Sequence, residues 1–537
     1  MTPLLLFFID PVENFQYFKM QRQHDLGLTE ELETPGIPDG TVLVIFGASG
    51  DLARRKLMPA LYHLSREGLL PSHFKIIGLG RRIPEIDEFR LKMKHRVIQY
   101  CSHKMEDRFW RPIEQSLFSM KADYYEDVTF ERLKEMIKET ETEWGKTANK
   151  LFYFSTSPSH FELLGEKIAQ FGLNTEEDGK WSRIVVEKPF GLDLKSADRL
   201  NLLLNKFYDE NQIFRIDHFL GKEAVQNILI FRMSNILFQP LWNREYIDHV
   251  QITIAETIGV EGRVEFFEQT GAIRDMIQSH ALQILAFLTM EHPSSLDPEE
   301  IRDEKVRLFR SIRRVRPEDV TEMTVRGQYS EGVVNFELVP GYLEEPGVPE
   351  NSKVETYVAM KLYIDNFRWR GVPFYIRTGK RMASRKTEIF IQLKQVADEV
   401  MPMVLQKQKP IPNTIRMEIQ PRAGVEIQMG WKPPGLLTEV EPTSLTIGGK
   451  AMLKEPKAYE RLLLDAMRGD STLFIRYDEI REMWKIVDPI IRGWQEENKK
   501  LETKGEKLPQ YPAGTQGPKI AKEFIKKDGR EWTIIEN

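Results

Sequence analysis

Short apolar runs alternate with helical segments through the first part of the chain, and this alternation limits the possible folds more than any other feature. The run "TVLVIF" (41–46) is too short for a core helix and almost wholly apolar, which is typical of a strand buried on both faces. Strands that alternate with helices predict a parallel sheet with helices on both faces, an α/β fold. The predicted strands are 41–46, 74–80, 151–156 and 183–191, and the predicted helices are 52–66, 85–100, 130–140, 159–171 and 193–210.

After about residue 217 the pattern changes to strands in which apolar and polar residues alternate. This period of two predicts a mostly antiparallel sheet with one covered face, and therefore an α+β region. Helical segments at 271–290 and 456–468 interrupt it, and the charged stretch 495–537 is predicted to be loosely held. The predicted strands are 249–257, 354–365, 373–379, 387–394, 414–420 and 424–430.

The length of 537 residues allows two to four domains, since about 100–200 residues per domain is usual. We predict an N-terminal extension (1–40), an α/β domain (41–216) and a larger α+β domain (217–537). The extension begins with "PLLLFFI", which is too short and lacks the basic flank of a secretory signal.

Charge and cysteine content narrow the class of protein. The 81 acidic and 76 basic residues leave a net charge of −5, which favours neither nucleic acid nor a membrane surface as a partner. No apolar run approaches the ~18 residues of a membrane span. Cys101 is the only cysteine, so no intrachain disulfide can form, which fits the cytoplasm. The sequence shows neither a cysteine cluster nor an HExxH pattern, so we predict no metal site.

A glycine-containing turn follows the first strand, in "IFGASGDLARRKLM" (45–58). Gly47 and Gly50 let the backbone turn tightly, and the following helix would offer unpaired N–H groups to a pyrophosphate. Ala53 stands where a third small residue permits close packing of helix on strand. The spacing GxxGxxA is weaker than GxGxxG, and a plain tight turn is the alternative.

The end of the second strand indicates which dinucleotide would bind. An acid that binds the ribose 2′-hydroxyl of NAD is common there, but this strand ends "GLGRR", with Arg81 and Arg82. A guanidinium at this place suits the 2′-phosphate of NADP. A solvated arginine pair is the alternative.

Two segments combine histidine with carboxylates. His280 lies on the apolar stripe of helix 271–290, so it points inward and is either a hydrogen-bonded core residue or a catalytic base. A base would need a carboxylate partner. Asp275 lies about 140° away around an ideal helix and fits poorly, whereas Asp217, in "FRIDHFLGKE" (214–223), is one option. Glu223 in that stretch is interpreted as a first-turn helix acid.

Cations mark two further candidate places. Lys188 follows a buried strand at the carboxyl end, where ligands bind in open α/β sheets. The bond between Lys188 and Pro189 is either cis or trans, and the sequence leaves this open. The loop "RTGKRMASRK" (377–386) is either a solvated basic face or a phosphate site.

Six segments occur in this order along the chain: "GASGDLARRKLMPAL", "EKPFG", "RIDHFLGKE", "PLWNREYIDHVQIT", "EGRVEFFEQTGAIRDMIQSHALQ" and "GVPFYIRTGKRM". Together they resemble the glucose-6-phosphate dehydrogenases, from about residue 41 to 490. The resemblance implies an N-terminal Rossmann domain, a larger α+β domain, and oxidation of glucose 6-phosphate at C1 with hydride transfer to NADP⁺. It also implies a homodimer or homotetramer with the large sheet at the interface.

The resemblance also implies residue roles. His280 is expected to be the base that removes the C1 hydroxyl proton, and Asp217 its carboxylate partner. The substrate contacts that it implies are Lys188, His218, Lys222, Glu256, Asp275, Lys380 and Gln420. The cofactor contacts are Gly47, Ser49, Gly50, Asp51, Leu52, Arg81 and Lys188. Since neighbouring side chains at a strand end alternate in direction, we expect Asp217 and His218 to serve opposite ends of the substrate.

The chain departs from relatives at several positions. Phe219 replaces a tyrosine that would contact the phosphate, while Ala255, Glu418 and Glu426 stand at places that differ in mammalian forms. A second, structural NADP site known from those forms is therefore predicted to be missing or weakened, as in a bacterial-type enzyme. Two alternatives remain: a preference for another hexose 6-phosphate or for NAD, and a catalytically inactive NADP-binding scaffold.

Overall fold

Six parallel strands form the first sheet, in the order β3-β2-β1-β4-β5-β6. The computed structural model describes Gly36 and residues 40–101, 103–396, 411–436, 440–448 and 457–535. Leu43 of β1 lies between Ile76 of β2 and Leu151 of β4, and all three are buried. The winding direction reverses between β1 and β4, which is where such sheets bind ligands. The strands are β1 Thr41–Phe46, β2 Phe74–Gly80, β3 Leu117–Lys121, β4 Asn149–Phe154, β5 Ser182–Glu187 and β6 Ile213–Ile216.

Helices connect these strands and cover the sheet, which makes it a Rossmann-type domain. In α4, Phe130, Leu133 and Ile137 recur at helical spacing and are buried, and the helix ends at Gly145, whose φ is +64°. Strand β3 and helix α3 were not predicted from the sequence. The helices are α1 Met58–Arg66, which continues from a π-helical turn Ala53–Leu57, α2 Ile86–Tyr100, α3 Asp107–Ser116, α4 Asp127–Trp144, α5 Phe161–Gln170 and α6 Leu194–Leu204.

The second sheet has nine strands in the order β16-β15-β14-β13-β7-β12-β11-β8-β17. Most pairs are antiparallel, but β12 pairs parallel to β7, and β17 parallel to β8. A separate hairpin, β9 Gly332–Val334 and β10 Glu337–Val339, lies outside it. The predicted fold class is thus confirmed. The sheet strands are β7 Ile247–Ala255, β8 Thr324–Ser330, β11 Tyr357–Tyr363, β12 Pro373–Gly379, β13 Lys386–Leu393, β14 Thr414–Gln420, β15 Gly424–Trp431, β16 Glu441–Gly448 and β17 Gln510–Pro512.

The predicted single helix 271–290 is wrong in its first turn. Gly271 has φ +59° and ψ −176°, which breaks the helix, and the chain continues as a π-helical segment, Ile273–Ala281, before α9. No described helix is long and apolar enough to cross a membrane. The remaining helices are α7 Glu223–Met233, α8 Val264–Ala272, α9 Leu282–Thr289, α10 Pro298–Ser311, α11 Val320–Met323, α12 Ala458–Arg468, α13 Tyr477–Lys504 and α14 Lys519–Lys526.

The prediction that residues 495–537 are loosely held is also wrong. Helix α13 continues to Lys504, and residues 510–535, which we call the C-terminal strap, add β17 to the sheet edge and lay α14 against it. Tyr511 and Ile525 of the strap are 1% and 0% exposed. Arg530 holds Asp248 of β7 with two contacts of 3.0 and 2.9 Å. Isolated apolar residues therefore anchor this charged stretch. The predicted extension 1–40 falls almost wholly outside the described residues.

Helix α12 returns from the second region to the first sheet. The guanidinium of Arg183, in β5, donates to the backbone oxygens of Ala466 and Met467 at 2.8 and 2.9 Å. At the other end of the helix, Lys457 donates to the backbone oxygen of Tyr100 at 3.0 Å. These contacts hold α12 against the first region, and the first turn of the helix, with Ala458 and Tyr459, forms part of the wall of the candidate site.

Candidate active site

The glycine turn lies at the point where the first sheet reverses its winding. Gly47 has φ +84°, and a Cβ there would lie 2.1 Å from the backbone oxygen of Ser155, just beyond β4. Only glycine fits this close approach. Gly50 donates to the backbone oxygen of Gly47 at 2.8 Å, which closes the turn. The predicted cofactor residues Gly47, Ser49, Gly50, Asp51 and Leu52 all belong to it.

Arg81 follows β2, next to this turn. A Cβ on Gly80 would lie 3.3 Å from Ser49 Oγ, so the end of β2 and the glycine turn are in contact. The side chains of Arg81 and Arg82 are both exposed. Asp51 is also exposed and pairs with Arg55 at 2.9 Å. Gly47, Ala48 and Gly50 donate their own N–H groups within the protein, so a pyrophosphate would bind to the N–H groups at the start of the helix that follows. With Arg81 next to the turn, this arrangement fits NADP.

Asp217 and His280 form a buried pair. His280 Nδ1 lies 2.5 Å from Asp217 Oδ1, and the two residues are 1% and 0% exposed. The backbone N–H of Phe219 also donates to Asp217 Oδ1 at 2.9 Å, and its ring stacks on the imidazole with 4.2 Å between centroids. His280 is therefore a buried core residue that also has the carboxylate partner a base would need.

Burial and charge set the state of this pair. Burial lowers the pKa of His280, and the carboxylate of Asp217 opposes this by favouring the imidazolium. Burial alone would raise the pKa of Asp217, but His280 and His218 hold it below its usual range. A neutral His280 that donates from Nδ1 leaves Nε2 as a proton acceptor. The imidazole is thus ready to accept a proton, and Asp217 stabilises the charge that follows.

Lys188 lies at Nε2 of this imidazole. Its Nζ is 2.8 Å from His280 Nε2, and it donates to the backbone oxygen and Oδ1 of Asp275 at 2.7 and 3.0 Å. Asp275 thus pairs with the lysine and not with the histidine, in keeping with its helical position. The Lys188–Pro189 bond is cis.

His218 and Lys222 follow Asp217 on the same short segment. The His218 ring packs at 82° to that of His280, with 4.8 Å between centroids. That Asp217 and His218 serve opposite ends of the substrate stays a prediction. Lys222 Nζ lies 3.4 Å from the centroid of the Phe219 ring. Burial, with a smaller effect of Arg385, lowers the pKa of Lys222 to about 7. Glu223 is the first residue of α7, as its interpretation as a first-turn acid requires.

A cavity of about 1110 Å³ joins these groups to the cofactor turn. Lys380 is not in its wall but donates to Glu256 Oε2 at 2.8 Å, and Asp217 lies buried behind His280. The wall therefore brings most of the predicted substrate residues together, but of the predicted cofactor residues it contains only Leu52 and Lys188; Gly47, Ser49, Gly50, Asp51 and Arg81 lie outside it. It includes Leu52 of the turn together with Lys188, His218, Lys222, Glu256, Asp275, His280 and Gln420.

Sequence reasoning gave no role to several polar residues of the cavity wall, among them Lys56, Arg385, Lys457 and Tyr459. Arg385 belongs to the basic loop 377–386, but the sequence gave this particular residue no role. Lys56 is part of "ARRKL", directly after the glycine turn, so its position was a usable signal. The other two belong to the start of α12, and no local pattern shows that this helix returns to the first sheet.

Asp217, His218 and His280 also form a group of potential metal ligands, with ligand atoms within 4.8 Å of one another. It is the one such group in the part of the chain that the structure describes. The contact between His280 Nδ1 and Asp217 has the length of a direct hydrogen bond. The expected absence of a metal remains a prediction.

The glycine turn with Arg81 next to it, and the cavity that Leu52 of this turn shares with His280, are the features of a dinucleotide-dependent dehydrogenase. Two family models match the chain: "Glucose-6-phosphate dehydrogenase, NAD binding domain" at residues 44–227 and "Glucose-6-phosphate dehydrogenase, C-terminal domain" at residues 229–533. The chain therefore belongs to the glucose-6-phosphate dehydrogenase family, which confirms the resemblance found in the sequence.

Individual relatives agree with this assignment. The chain is 41% identical over 507 residues to "Glucose-6-phosphate 1-dehydrogenase" of Chlamydia pneumoniae, covering 93% of this chain and 97% of that protein. It is 42% identical over 506 residues to the protein of that name from Aggregatibacter actinomycetemcomitans, covering 91% and 96%. A solved structure, "Glucose-6-phosphate dehydrogenase in complex with its substrate glucose-6-phosphate", superposes with a TM-score of 0.82 at 35% identity, over 93% of this chain and 99% of that one.

Proposed function

We propose that this protein oxidises D-glucose 6-phosphate at C1 to 6-phospho-D-glucono-1,5-lactone and transfers the hydride to NADP⁺, the first step of the oxidative pentose phosphate pathway. The observation that carries this proposal is the buried pair of His280 and Asp217. His280 lines the cavity, and Leu52 of the glycine turn lies in the wall of the same cavity. The names of the relatives support the choice of substrate. An NADPH absorbance assay with glucose 6-phosphate tests it, and absence of turnover would contradict it.

The residues of the chain divide the chemistry between them. The C1 hydroxyl takes the place of Lys188 Nζ at His280 Nε2, which then accepts the hydroxyl proton. Asp217 fixes the imidazole and stabilises its charge. The glycine turn and Arg81 would hold NADP⁺, which would supply the hydride acceptor of the reaction. His218, Lys222 and Lys380 bind the phosphate, and Lys380 also donates to Glu256 Oε2. Lys188, Glu256, Asp275 and Gln420 orient the sugar hydroxyls.

Arg81 is the residue on which NADP preference depends. We expect Arg81→Ala to raise KM for NADP⁺ by about 10- to 100-fold, because it removes charged hydrogen bonds to the 2′-phosphate. The KM for NAD⁺, which lacks this phosphate, stays the same. Steady-state kinetics with both cofactors measure this, and Arg82→Ala is the matched control. An equal rise in both KM values would show that Arg81 does not read the phosphate.

The lowered pKa of Lys222 leads us to expect that substrate binding depends on pH. Its pKa of about 7 means that the empty site holds a mostly neutral amine at pH 8, whereas the substrate dianion favours the ammonium. Binding at pH 8 is therefore expected to take up close to one proton, and uptake should vanish below about pH 6. Calorimetry in buffers of different ionisation enthalpy measures it. Lys222→Arg stays charged and should show no uptake; equal uptake by both proteins would assign the proton to another group.

The proposal also covers the oligomeric state, the cellular location and the domain boundary. We expect a homodimer or homotetramer joined through the large sheet, and the support is that its outer strands β15 and β16 expose Met429, Trp431, Leu445 and Ile447. A cytoplasmic location is supported by the lone Cys101. The domain division at residue 216 remains a proposal, supported by the end of the first sheet at Ile216.

A second, structural NADP site is still predicted to be missing or weakened. Glu426 lies 3.9 Å from Arg416, and Glu388 lies 3.5 Å from the same guanidinium. Both carboxylates reduce the attraction of the Arg416 guanidinium for a phosphate, which supports the prediction.

A further inference from the structure

In the sequence, Phe219 is notable only for the tyrosine hydroxyl that it lacks, but in the structure it contacts both members of the buried pair. Its backbone N–H donates at 2.9 Å to Asp217 Oδ1, the same oxygen that lies 2.5 Å from His280 Nδ1. Its ring, which is 4% exposed, stacks on the imidazole of His280 at 19°, with 4.2 Å between centroids. The reaction as described above gives this ring no role.

The stack fixes what the hydrogen bond to Asp217 leaves free. The torsion that turns an imidazole has only broad minima, and one hydrogen bond at Nδ1 holds a single edge of the ring. Phe219 covers a face of the His280 imidazole, while the ring of His218 meets that imidazole at 82°. Contacts with these two rings set the plane of the imidazole, and therefore the direction in which Nε2 points.

The ring of Phe219 is itself held in place. Lys222 Nζ lies 3.4 Å from its centroid, a distance that puts the ammonium above a face of the ring. The ring of His218 packs against it at 69°, with 5.1 Å between centroids. Phe219 can therefore act as a fixed support for the imidazole.

Charge is a second reason for an aromatic side chain at this place. The face of a phenyl ring carries negative charge and attracts a cation that lies over it. His280 becomes an imidazolium when it accepts the proton of the C1 hydroxyl, so the stack is stronger after proton transfer than before it. An interaction that strengthens during the reaction raises kcat and not the affinity for substrate.

We propose that Phe219 is a positioning residue, whose ring fixes the plane of the His280 imidazole and stabilises the positive charge that forms on it. Phe219 itself exchanges no proton or hydride. The inference rests on the proposed function, since it concerns the base of that reaction.

Phe219→Leu tests the ring, because leucine fills much of the same space without a flat, negatively charged face. We expect kcat per binding site to fall by about 10- to 100-fold, as for a misplaced catalytic group. The KM for NADP⁺ and the Kd for glucose 6-phosphate should stay within about threefold. Calorimetric titration with glucose 6-phosphate counts the sites and gives the Kd. A role limited to stability would lower the number of sites and leave kcat per site unchanged.

Three further variants make the test specific. Phe219→Tyr keeps the ring and should keep kcat within about threefold of wild type. Phe219→Met replaces the ring by a flexible chain and should show the same loss as Phe219→Leu, so it carries the test if the leucine variant fails to fold. Phe231→Leu is the matched control, since Phe231 stacks on Phe238 at 27° with 4.4 Å between centroids and is not in the cavity wall. It should leave kcat within about twofold.

A double variant shows whether Phe219 acts through His280. Once His280→Asn has removed the base, Phe219→Leu has no imidazole left to position and should lower kcat by less than about twofold more. A role that is independent of His280 would lower kcat by the same factor in both backgrounds.

Specific results would overturn the proposal. These are a kcat of Phe219→Leu within about twofold of wild type, an equal loss in Phe219→Tyr or Phe231→Leu, or an undiminished effect in the His280→Asn background. Turnover by the wild-type protein is measured first. Its absence would contradict the proposed function, whereas the ratios among the variants test Phe219 alone.

Discussion

His280→Asn is expected to lower kcat by about 10²- to 10⁴-fold, the usual contribution of a positioned general base. Asparagine keeps a hydrogen-bond donor toward Asp217 but offers no basic nitrogen at the cavity. Because His218 and Lys222 are intact, glucose 6-phosphate should bind with a Kd within about threefold of wild type. Steady-state kinetics and calorimetry measure the two quantities separately.

The chain contains a matched control for this substitution. His249 of β7 is also buried and also pairs with an aspartate, since its Nδ1 lies 2.7 Å from Asp248 Oδ2. It does not line the cavity, so His249→Asn should keep kcat within about twofold. If His280→Asn retained most of the turnover, or if both variants lost it equally, His280 would not be the base.

Lys305→Met is expected to lower the free energy of unfolding by about 3–5 kcal/mol, because it leaves a buried carboxylate without its partner. Lys305 Nζ, on α10, lies 2.7 Å from Glu479 Oε2, on α13, and both side chains are 0% exposed. Gln283 of α9 donates to the same oxygen at 3.1 Å. This ion pair joins three helices behind His280. Denaturant unfolding measures the loss.

Two comparisons separate this effect from general damage to the core. Lys305→Met combined with Glu479→Gln removes the unpaired charge and should recover a large part of the stability. Lys485 pairs with Glu482 on α13 at 2.7 Å but is 36% exposed, so Lys485→Met should cost less than about 1 kcal/mol. Equal losses for the two single variants would show that burial of the pair is not what matters.

Most of the first sheet was predictable because short apolar runs and the turn residues next to them mark its strands in the sequence. The run 41–46 is β1, and Gly47 makes the turn that its sequence predicts. Strand β3 was missed because, of its five residues, only Leu117 and Met120 are buried. It also follows α3 without an intervening turn residue. Neither an alternation of apolar and polar residues nor a glycine or proline at its start therefore marks it in the sequence.

The candidate site was only partly predictable, because its parts come from distant segments. The sequence offered Asp217 as a partner for His280 by excluding Asp275, and the structure places the two in contact. The sequence could not show that Tyr459 returns to the first sheet, since that depends on the packing of α12 and not on a local pattern. The C-terminal error has a similar cause, because Tyr511 and Phe524 are buried singly among charged residues.

The C-terminal strap has a consequence for synthesis on the ribosome. The first sheet is complete once Ile216 has emerged, so it can fold while translation continues. The second sheet must wait, because its edge strand β8 pairs with Gln510–Pro512 and the buried Arg377 donates to the backbone oxygen of Thr533. Until residues 510–535 have emerged, the nascent chain carries a folded first sheet joined to an open edge of the second sheet, with which other chains can pair. Termination of translation before residue 510 should therefore yield aggregates instead of a shortened enzyme.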